Sequence, residues 1–249
     1  MKQDRRVGVV IGAGGSIASV ISRVLAESET QVVGVDLDEE HLSRLRITDA
    51  PFSANVMTLT GDVTRREDLE RIKNEVVKEF GRVDILVNCQ GALYNELLRR
   101  LTDEGWQKTL SVHLEGTRNA MLVFGPMMIE GQYGRIVNMS SIAVQGSLAG
   151  ASYGAAKGGI EGLSRTAALE WAKYGVTVNC IAPGLINAGM FLTTPEKFRQ
   201  KGIAHVPMGR AGEPEEVAYL VRFLCSKEAS FITGQTIYVC GGMSIYHGI

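Results

Sequence analysis

The sequence predicts an α/β protein with a doubly wound, seven-stranded parallel sheet flanked by helices. Short β-branched runs alternate with longer amphipathic stretches, and the runs are almost continuously apolar, as in strands whose two faces are both covered. Right-handed crossovers then place helices on both faces of the sheet. Because no repeat, low-complexity tract or linker-like segment interrupts the series, we expect residues 1–249 to form a single domain.

The predicted strands are short apolar runs bounded by turn-forming residues. They cover residues 7–11, 31–35, 56–60, 85–88, 135–138, 176–181 and 236–239. Apolar residues recur at helical spacing in 69–80 and 215–225, and long helices are predicted over 103–130 and 151–173. The segment 187–208 contains two prolines and a mixed composition, so we expect an irregular substrate loop there.

Bulk composition argues for a small-molecule partner. The net charge of -1 gives no electrostatic footprint for nucleic acid or an anionic membrane surface, and no apolar run is long enough to cross a membrane. The four cysteines show no metal-binding spacing, which predicts reduced thiols and no metal site. We therefore expect a cytoplasmic protein that binds neither nucleic acid nor membrane.

A glycine-rich turn follows the first predicted strand and opens a helix. Glycines at such a turn let the backbone approach a pyrophosphate, whose charge is stabilised by the free N–H groups and the dipole of the helix. A glycine turn also occurs without any ligand, so its position after the first strand is what favours dinucleotide binding. The candidate contacts are Gly12, Gly14, Gly15, Ser16 and Ile17.

Asp36 ends the second predicted strand, near the spacing at which an acid meets the adenosine ribose. A carboxylate there accepts hydrogen bonds from both ribose hydroxyls and repels a 2′-phosphate. The glycine turn has no Lys or Arg and Asp36 is followed by Leu37, so NAD is predicted over NADP. The alternative is that Asp36 is a solvated loop acid near a helix N-terminus.

Tyr153 and Lys157 form a Tyr-x-x-x-Lys pair near the start of a predicted helix, so both side chains project from one face. An ammonium close to a phenol favours the ionised phenol, which suits Tyr153 to exchange a proton with an alcohol or ketone. Upstream, a predicted strand ends at Ser140 and Ser141, where a hydroxyl can hydrogen-bond a substrate oxygen. The alternative for the noncatalytic serine is a turn cap.

Taken together, several motifs resemble the short-chain dehydrogenase/reductase family over residues 5–243. They are the glycine turn, Asp36, Gly61-Asp62-Val63, Asn88-x-x-Gly91, Ser140-Ser141, Tyr153-x-x-x-Lys157, Pro183-Gly184-Leu185-Ile186 and Gly234-Gln235. The resemblance implies a seven-stranded Rossmann fold, a proton relay through Lys157 and the ribose hydroxyls, and a homotetramer or homodimer. Apolar residues of the two long helices are consistent with a subunit interface.

The resemblance also implies roles for individual residues. Asp62 and Val63 are expected at the adenine, Asn88 and Gly91 along the ribose side, and Pro183, Gly184 and the Ile186 backbone at the carboxamide. The family's usual serine-to-tyrosine spacing selects Ser140 and the local Asn-x-Ser-Ser pattern selects Ser141. We choose Ser141 and retain Ser140 as the alternative.

Several positions depart from the family pattern, including Ile11 before the glycine turn and Cys89-Gln90 after Asn88. Ser16 and Ala18 replace glycines of the turn, Ala188 replaces the threonine expected to bind the carboxamide, and His113 replaces the asparagine that holds a relay water. A histidine can donate and accept hydrogen bonds, so we predict that His113 substitutes in the relay, with a packed, noncatalytic imidazole as the alternative.

The substrate pocket is expected to be apolar. Leu93, Leu148 and Met190 are its candidate lining residues, which favours an uncharged secondary alcohol or ketone. A 3-oxoacyl thioester reductase is a second possibility, although such enzymes usually prefer NADPH, which Asp36 opposes. A dinucleotide-binding sensor without turnover and a cofactor-free lyase are alternatives from other classes. The retained Tyr153 and Lys157 argue against the sensor, and the lyase would need a blocked dinucleotide site and an Arg in place of Lys157, neither of which the sequence shows.

Overall fold

Seven parallel strands form the centre of the protein. The computed structural model describes residues 5–28, 30–46, 51–92 and 94–245. The strands are β1 (Val7–Ile11), β2 (Gln31–Asp36), β3 (Val56–Thr60), β4 (Ile85–Asn88), β5 (Gly134–Met139), β6 (Val176–Pro183) and β7 (Thr236–Val239). They pair in the order β3-β2-β1-β4-β5-β6-β7, all parallel, which confirms the predicted doubly wound sheet.

Helices connect and cover these strands. Within the described residues the α-helices are α1 (Ser16–Glu27), α2 (Glu39–Arg46), α3 (Arg66–Phe80), α4 (Asp103–Leu110), α5 (Gly116–Glu130), α6 (Ala151–Trp171), α7 (Met190–Thr193), α8 (Glu196–Ile203) and α9 (Pro214–Leu224). No helix in this part of the chain is both long enough and apolar enough to cross a membrane.

Two predicted segments differ from the structure. The single helix expected over 103–130 is interrupted by a π-helical turn, Ser111–Glu115, which separates α4 from α5. The segment 187–208, expected to be irregular, contains the short helices α7 and α8. Both helices are too short for a clear hydrophobic period, which explains why the pattern did not reveal them.

The hydrophobic core has two layers, one on each face of the sheet. One joins alternate β1 residues, including Val9, to buried residues of α3 and α5 such as Ile72 and Phe124. The other joins Val10 of β1 to α1 and α9, for example through Ile21 and Val221. Because β1 is buried on both faces, its sequence is continuously apolar.

The candidate site lies where the strand order reverses. The chain runs from β1 through β2 to β3 on one side of the sheet and then crosses back through α3 to β4 on the other side of β1, so a crevice opens beyond the carboxyl ends of the central strands β1 and β4. The glycine turn follows β1, Asn88 ends β4, and Ser140 and Ser141 follow β5. The fold therefore brings the predicted cofactor and catalytic segments to one edge of the sheet.

Candidate active site

The glycine turn after β1 is a close-packed backbone cradle. Gly12 has φ +76°, and a Cβ there would lie 2.6 Å from Cα of Gln90. Its N–H donates to the carbonyl of Val35 at 2.7 Å, which ties the turn to β2. Gly15 is the N-cap of α1 and provides no side-chain cap, and Ser16 is exposed beside it. This arrangement fits an anion at the N-terminus of α1.

Asp36 faces the glycine turn from the end of β2. Its Oδ2 accepts from the N–H of Gly14 at 2.9 Å and its Oδ1 accepts from the N–H of Asp38 at 3.1 Å. Gly14 packs closely against α2, because a Cβ added at Gly14 would lie 2.5 Å from Cβ of His41. Leu37 is 69% exposed. The carboxylate of Asp36 therefore lies at the rim of the crevice, where the sequence predicts the ribose.

The next predicted contacts follow β3. Asp62 is folded into its own turn: its Oδ1 accepts from the N–H and the hydroxyl of Thr64 at 2.9 and 2.7 Å. Val63 is buried against Gly116 at the start of α5, and its carbonyl accepts from Asn119. The Asp62 carboxylate thus stabilises its own loop, and the course of that loop brings Asp62 and Val63 near the crevice.

Two buried amide oxygens beneath the crevice have no hydrogen-bond partner in the part of the chain that the structure describes. Asn88 donates through Nδ2 to Oδ1 of Asn138 at 2.7 Å, and its own Oδ1 has no hydrogen bond. Gln90 donates to the hydroxyl of Thr117 at 3.0 Å, and its Oε1 is likewise unpaired. Together with the glycine cradle and Asp36, these orphaned acceptors fit a polar ligand such as a dinucleotide.

Tyr153 and Lys157 lie on one face of α6, as predicted. The Lys157 ammonium is 5.5 Å from the centroid of the Tyr153 ring and donates to the carbonyl of Met139 at 2.6 Å. Burial lowers the pKa of Lys157 to about 8. Burial raises the pKa of Tyr153, and a hydrogen bond with Ser141 opposes this increase.

Desolvation opposes the effect that the charge of Lys157 is predicted to have on the Tyr153 phenol. The residue spacing indicated the charge but not the desolvation, and desolvation by burial is the larger effect on the phenol.

The two serines after β5 have different surroundings. Ser141, which is partly exposed, hydrogen-bonds Tyr153 and accepts from the N–H of Ala143 at 3.2 Å. Ser140 is buried and donates its hydroxyl to Oε1 of Glu161 at 2.8 Å. The geometry thus brings Ser141 to the phenol and directs Ser140 away from it.

His113 lies in the π-helical turn and contacts Tyr153. Their rings are edge to face, with centroids 5.2 Å apart. His113 Nε2 lies 2.8 Å from the carbonyl of Ala92 and 3.3 Å from its N, and the shorter contact favours an Nε2–H that donates to the carbonyl. The Nδ1 atom is buried and has no partner among the described residues. Burial is the main cause that lowers the pKa of His113 to about 4, with the charge of Lys157 second. The imidazole is therefore neutral at physiological pH.

The predicted carboxamide segment follows β6. The N–H of Gly184 donates to Val239 at 2.9 Å, and a Cβ on Gly184 would lie 2.8 Å from Cα of Cys240. Ile186 is buried, and its carbonyl accepts from the N–H of Ala188 at 2.7 Å. Pro183 is the last residue of β6. This segment is held by backbone bonds, so its position depends little on side chains.

The predicted substrate residues are described only in part. Leu148 is 90% exposed and does not line an enclosed pocket. Leu93 and the side chain of Met190 lie outside the described residues. A cavity of about 460 Å³ borders the segment 187–208 and is lined by Asn187, Phe191, Glu196, Arg199, Gln200, Ile203, Gly209, Arg210, Ala211 and Glu213. A second, of about 390 Å³, lies beside β7, and Tyr153 lines neither cavity.

Sequence reasoning missed Cys89 and Glu161 as neighbours of the site. The charge of Lys157 acts on Cys89, although burial dominates and raises the pKa of the Cys89 thiol to about 11. Glu161 follows Lys157 by one helical turn, so its spacing was a usable signal. In the described ranges no three His, Cys, Asp or Glu side chains group as metal ligands, and Cys89, Cys180, Cys225 and Cys240 are free thiols.

The parallel sheet, the glycine cradle and the joined Ser141, Tyr153 and Lys157 define a dinucleotide-binding oxidoreductase. A family model described as Enoyl-(Acyl carrier protein) reductase matches residues 12–244. The chain is 35% identical over 248 residues to the (2S)-[(R)-hydroxy(phenyl)methyl]succinyl-CoA dehydrogenase subunit BbsD of Thauera aromatica, with 98% of this chain and 99% of that protein covered.

It is also 34% identical over 246 residues to the 3-oxoacyl-[acyl-carrier-protein] reductase FabG of Thermotoga maritima, with coverage of 98% and 100%. The crystal structure of gox2181 matches with a TM-score of 0.92 at 32% identity, covering 98% of this chain and 97% of that one. The chain therefore belongs to the short-chain dehydrogenase/reductase family, whose members bind a nicotinamide dinucleotide, and it is an oxidoreductase. The predicted family is confirmed.

Proposed function

We propose that the protein interconverts a secondary alcohol and a ketone with NAD(H), using Tyr153 as the acid/base. The observation that carries this proposal is the position of the Tyr153 phenol between the Ser141 hydroxyl, which hydrogen-bonds it, and the Lys157 ammonium, 5.5 Å from its ring centroid. When bound, the nicotinamide supplies or accepts the hydride. Gly12, Gly14, Gly15, the first turn of α1, Asp36 and Asn88 would hold the dinucleotide.

The protein's own groups provide the proton chemistry. Tyr153 donates its hydroxyl proton to the ketone oxygen in reduction and takes it back from the alcohol in oxidation. The Ser141 hydroxyl donates a hydrogen bond to the same substrate oxygen and stabilises its developing negative charge. At neutral pH, below its pKa of about 8, Lys157 is positively charged and reduces the cost of ionising Tyr153. Neutral His113 supports the ring of Tyr153 and offers Nδ1 as an acceptor.

Turnover by variant enzymes tests the role of Tyr153. We expect Tyr153→Phe to reduce kcat at least about 100-fold on any secondary alcohol that the wild type oxidises, because the acid/base proton is lost. Tyr219→Phe is the matched control, since Tyr219 is 51% exposed on α9, away from the site. Equal activity of the two variants would exclude Tyr153 as the acid/base.

Preference for NAD follows from the carboxylate of Asp36. We expect NADH to bind more tightly than NADPH in fluorescence titrations, and Asp36→Asn to reduce that preference about 10-fold, because the charge that repels a 2′-phosphate is removed. Asn still accepts from the N–H of Gly14. Asp38→Asn is the control, because the Asp38 carboxylate accepts from the N–H groups of Glu40 and His41 and lies 3.5 Å from Nδ1 of His41, within its own loop. Tighter NADPH binding by the wild type contradicts the assignment.

A second candidate substrate class is a 3-oxoacyl or 3-hydroxyacyl thioester. Two relatives support it by name: one is a 3-oxoacyl-[acyl-carrier-protein] reductase and the other a dehydrogenase of a hydroxyl-bearing succinyl-CoA. Comparing reduction of acetoacetyl-CoA with reduction of a simple methyl ketone separates the two classes. A kcat/KM higher by 100-fold or more for the thioester, about 3 kcal/mol in transition-state binding, would select the thioester.

Assembly is the remaining part of the proposal. We propose a homotetramer, with a homodimer as the alternative. Trp106 on α4, Leu122 on α5 and Leu169 on α6 are 37%, 43% and 84% exposed in the single chain, and burying such side chains between subunits is favourable. Light scattering after size-exclusion chromatography gives the mass directly. A monomeric mass at micromolar concentration would contradict the proposal.

A further inference from the structure

Successive turns of α6 bind successive residues at the end of β5. Tyr153, Lys157 and Glu161 follow one another at four-residue spacing, which places them on one face of the helix. Lys157 donates to the carbonyl of Met139, and Glu161 accepts from the hydroxyl of the next residue, Ser140, at 2.8 Å. The end of β5 is therefore fixed to α6 at two adjacent residues.

Glu161 is a buried carboxylate to which the catalytic proposal assigns no role. It is 7% exposed, and Ser140 is 3% exposed. Its other oxygen, Oε2, pairs with Arg165 at 2.9 Å, and the Arg165 side chain is 54% exposed. A buried carboxylate destabilises a fold unless hydrogen bonds satisfy it, so the Ser140 hydroxyl and Arg165 are needed to keep Glu161 in place.

Fixing Ser140 constrains the residue that follows it. Ser141 is extended, with φ -166° and ψ 154°, and successive side chains of an extended segment point in opposite directions. A rotation of the backbone at Ser140 therefore changes the direction of the Ser141 hydroxyl. The backbone N–H of Ser140 is also fixed, because it donates to Ile181 of β6 at 2.8 Å.

We propose that Glu161 is a positioning residue, which holds the Ser140 side chain and thereby keeps the Ser141 hydroxyl directed at Tyr153. This inference rests on the role proposed for Ser141 in catalysis. In this role Glu161 does not contact the substrate, and it affects turnover through Ser140 and Ser141.

Kinetics of Glu161 variants test this role. Glu161→Met removes the acceptor for Ser140, whereas Glu161→Gln retains an acceptor oxygen. We expect Glu161→Met to lower kcat roughly 10- to 100-fold, as a displaced catalytic group does, and Glu161→Gln to restore most of the loss. Glu170→Met, an exposed position near the end of the same helix, is the matched control. Ser140→Ala breaks the same hydrogen bond from the other side and replaces Glu161→Met if that variant does not fold.

The decisive measurement repeats Glu161→Met in a Ser141→Ala background. If Glu161 acts through Ser141, the second substitution causes no further loss of kcat. An equal loss in both backgrounds would overturn the proposal, because it would show a general structural effect. An unchanged kcat for both Glu161→Met and Ser140→Ala in the otherwise native protein would overturn it as well.

A readout without turnover separates this inference from the proposed function. Tyrosine labelled with ¹³C at Cζ reports the hydrogen bond on the phenol, and the Tyr153 resonance is identified by its loss in Tyr153→Phe. We expect Ser141→Ala and Glu161→Met to shift that resonance in the same direction. A shift in Ser141→Ala alone would overturn the positioning role, even if the protein oxidises no alcohol tested.

Discussion

Replacing Gly12 by alanine tests whether the cradle after β1 requires a residue without a side chain. Gly12 has φ +76°, where an L-residue costs roughly 1–2 kcal/mol. The new Cβ would lie 2.6 Å from Cα and 2.7 Å from N of Gln90, so backbone must move, at about 1–3 kcal/mol. Loss of unfolded-state freedom returns about 0.4–1 kcal/mol. We expect a net destabilisation of about 3 kcal/mol.

Differential scanning calorimetry at one protomer concentration measures this effect. A loss of about 3 kcal/mol in a domain of this size lowers Tm by roughly 6–12 °C. NADH binding should also weaken, because movement of Gln90 and the turn displaces the cradle. A fall in Tm of less than about 2 °C would refute the reasoning, since it would show that the strand ends of β1 and β4 separate at little cost.

Three further predictions concern single groups. Burial lowers the pKa of Lys157 from 10.5 to about 8, so between these pH values the unfolded chain binds more protons than the folded one. The unfolding free energy of the wild type should therefore rise by about 3 kcal/mol across that window, relative to Lys157→Met. Urea unfolding of both proteins at pH 8 and 10.5 measures this difference, and an equal change in unfolding free energy for the two would contradict the prediction. The His113 pKa is lowered from 6.5 to about 4, so between these values acid should destabilise the wild type by about 3 kcal/mol relative to His113→Asn. The same titration run from pH 7 to 4 would disprove this if both proteins lost stability equally. A Cβ at Gly162 in α6 meets no atom of the described residues within 4 Å, so Gly162→Ala should raise the unfolding free energy by about 0.5–1 kcal/mol. A lower Tm of this variant would contradict the expectation.

The sheet was predictable because burial of both faces leaves a direct trace in the sequence. Strands such as β1 and β4 are short and apolar throughout, and the structure reproduces both ranges as predicted. The break at Ser111–Glu115 was not predictable, because a π-turn leaves the hydrophobic spacing almost unchanged and depends on how His113 packs. The same limit applied to α7 and α8, whose lengths give too few positions for a period.

For the candidate site, the sequence identified the residue types but not their surroundings. Spacing and pattern left Ser140 and Ser141 as alternatives, and the distinction depends on Glu161, a contact with a residue two turns along α6 from Tyr153. The direction of the Tyr153 pKa likewise depends on burial, which residue spacing does not report. Partner groups and desolvation are tertiary properties, so they required the structure.

The precision of the candidate site follows from where its residues are attached. Tyr153 and Lys157 belong to a 21-residue helix, and glycines let that helix approach its neighbours. A Cβ at Gly154 would lie 3.0 Å from the carbonyl of Ala143, just after Ser141, and one at Gly159 would lie 2.9 Å from Leu114, beside His113. Glycine inside a helix costs roughly 0.5–1 kcal/mol per residue. At these two positions the absence of a side chain permits the close packing that brings Ser141 and His113 to Tyr153. We therefore attribute the site geometry to the close approach of α6 as much as to its catalytic side chains.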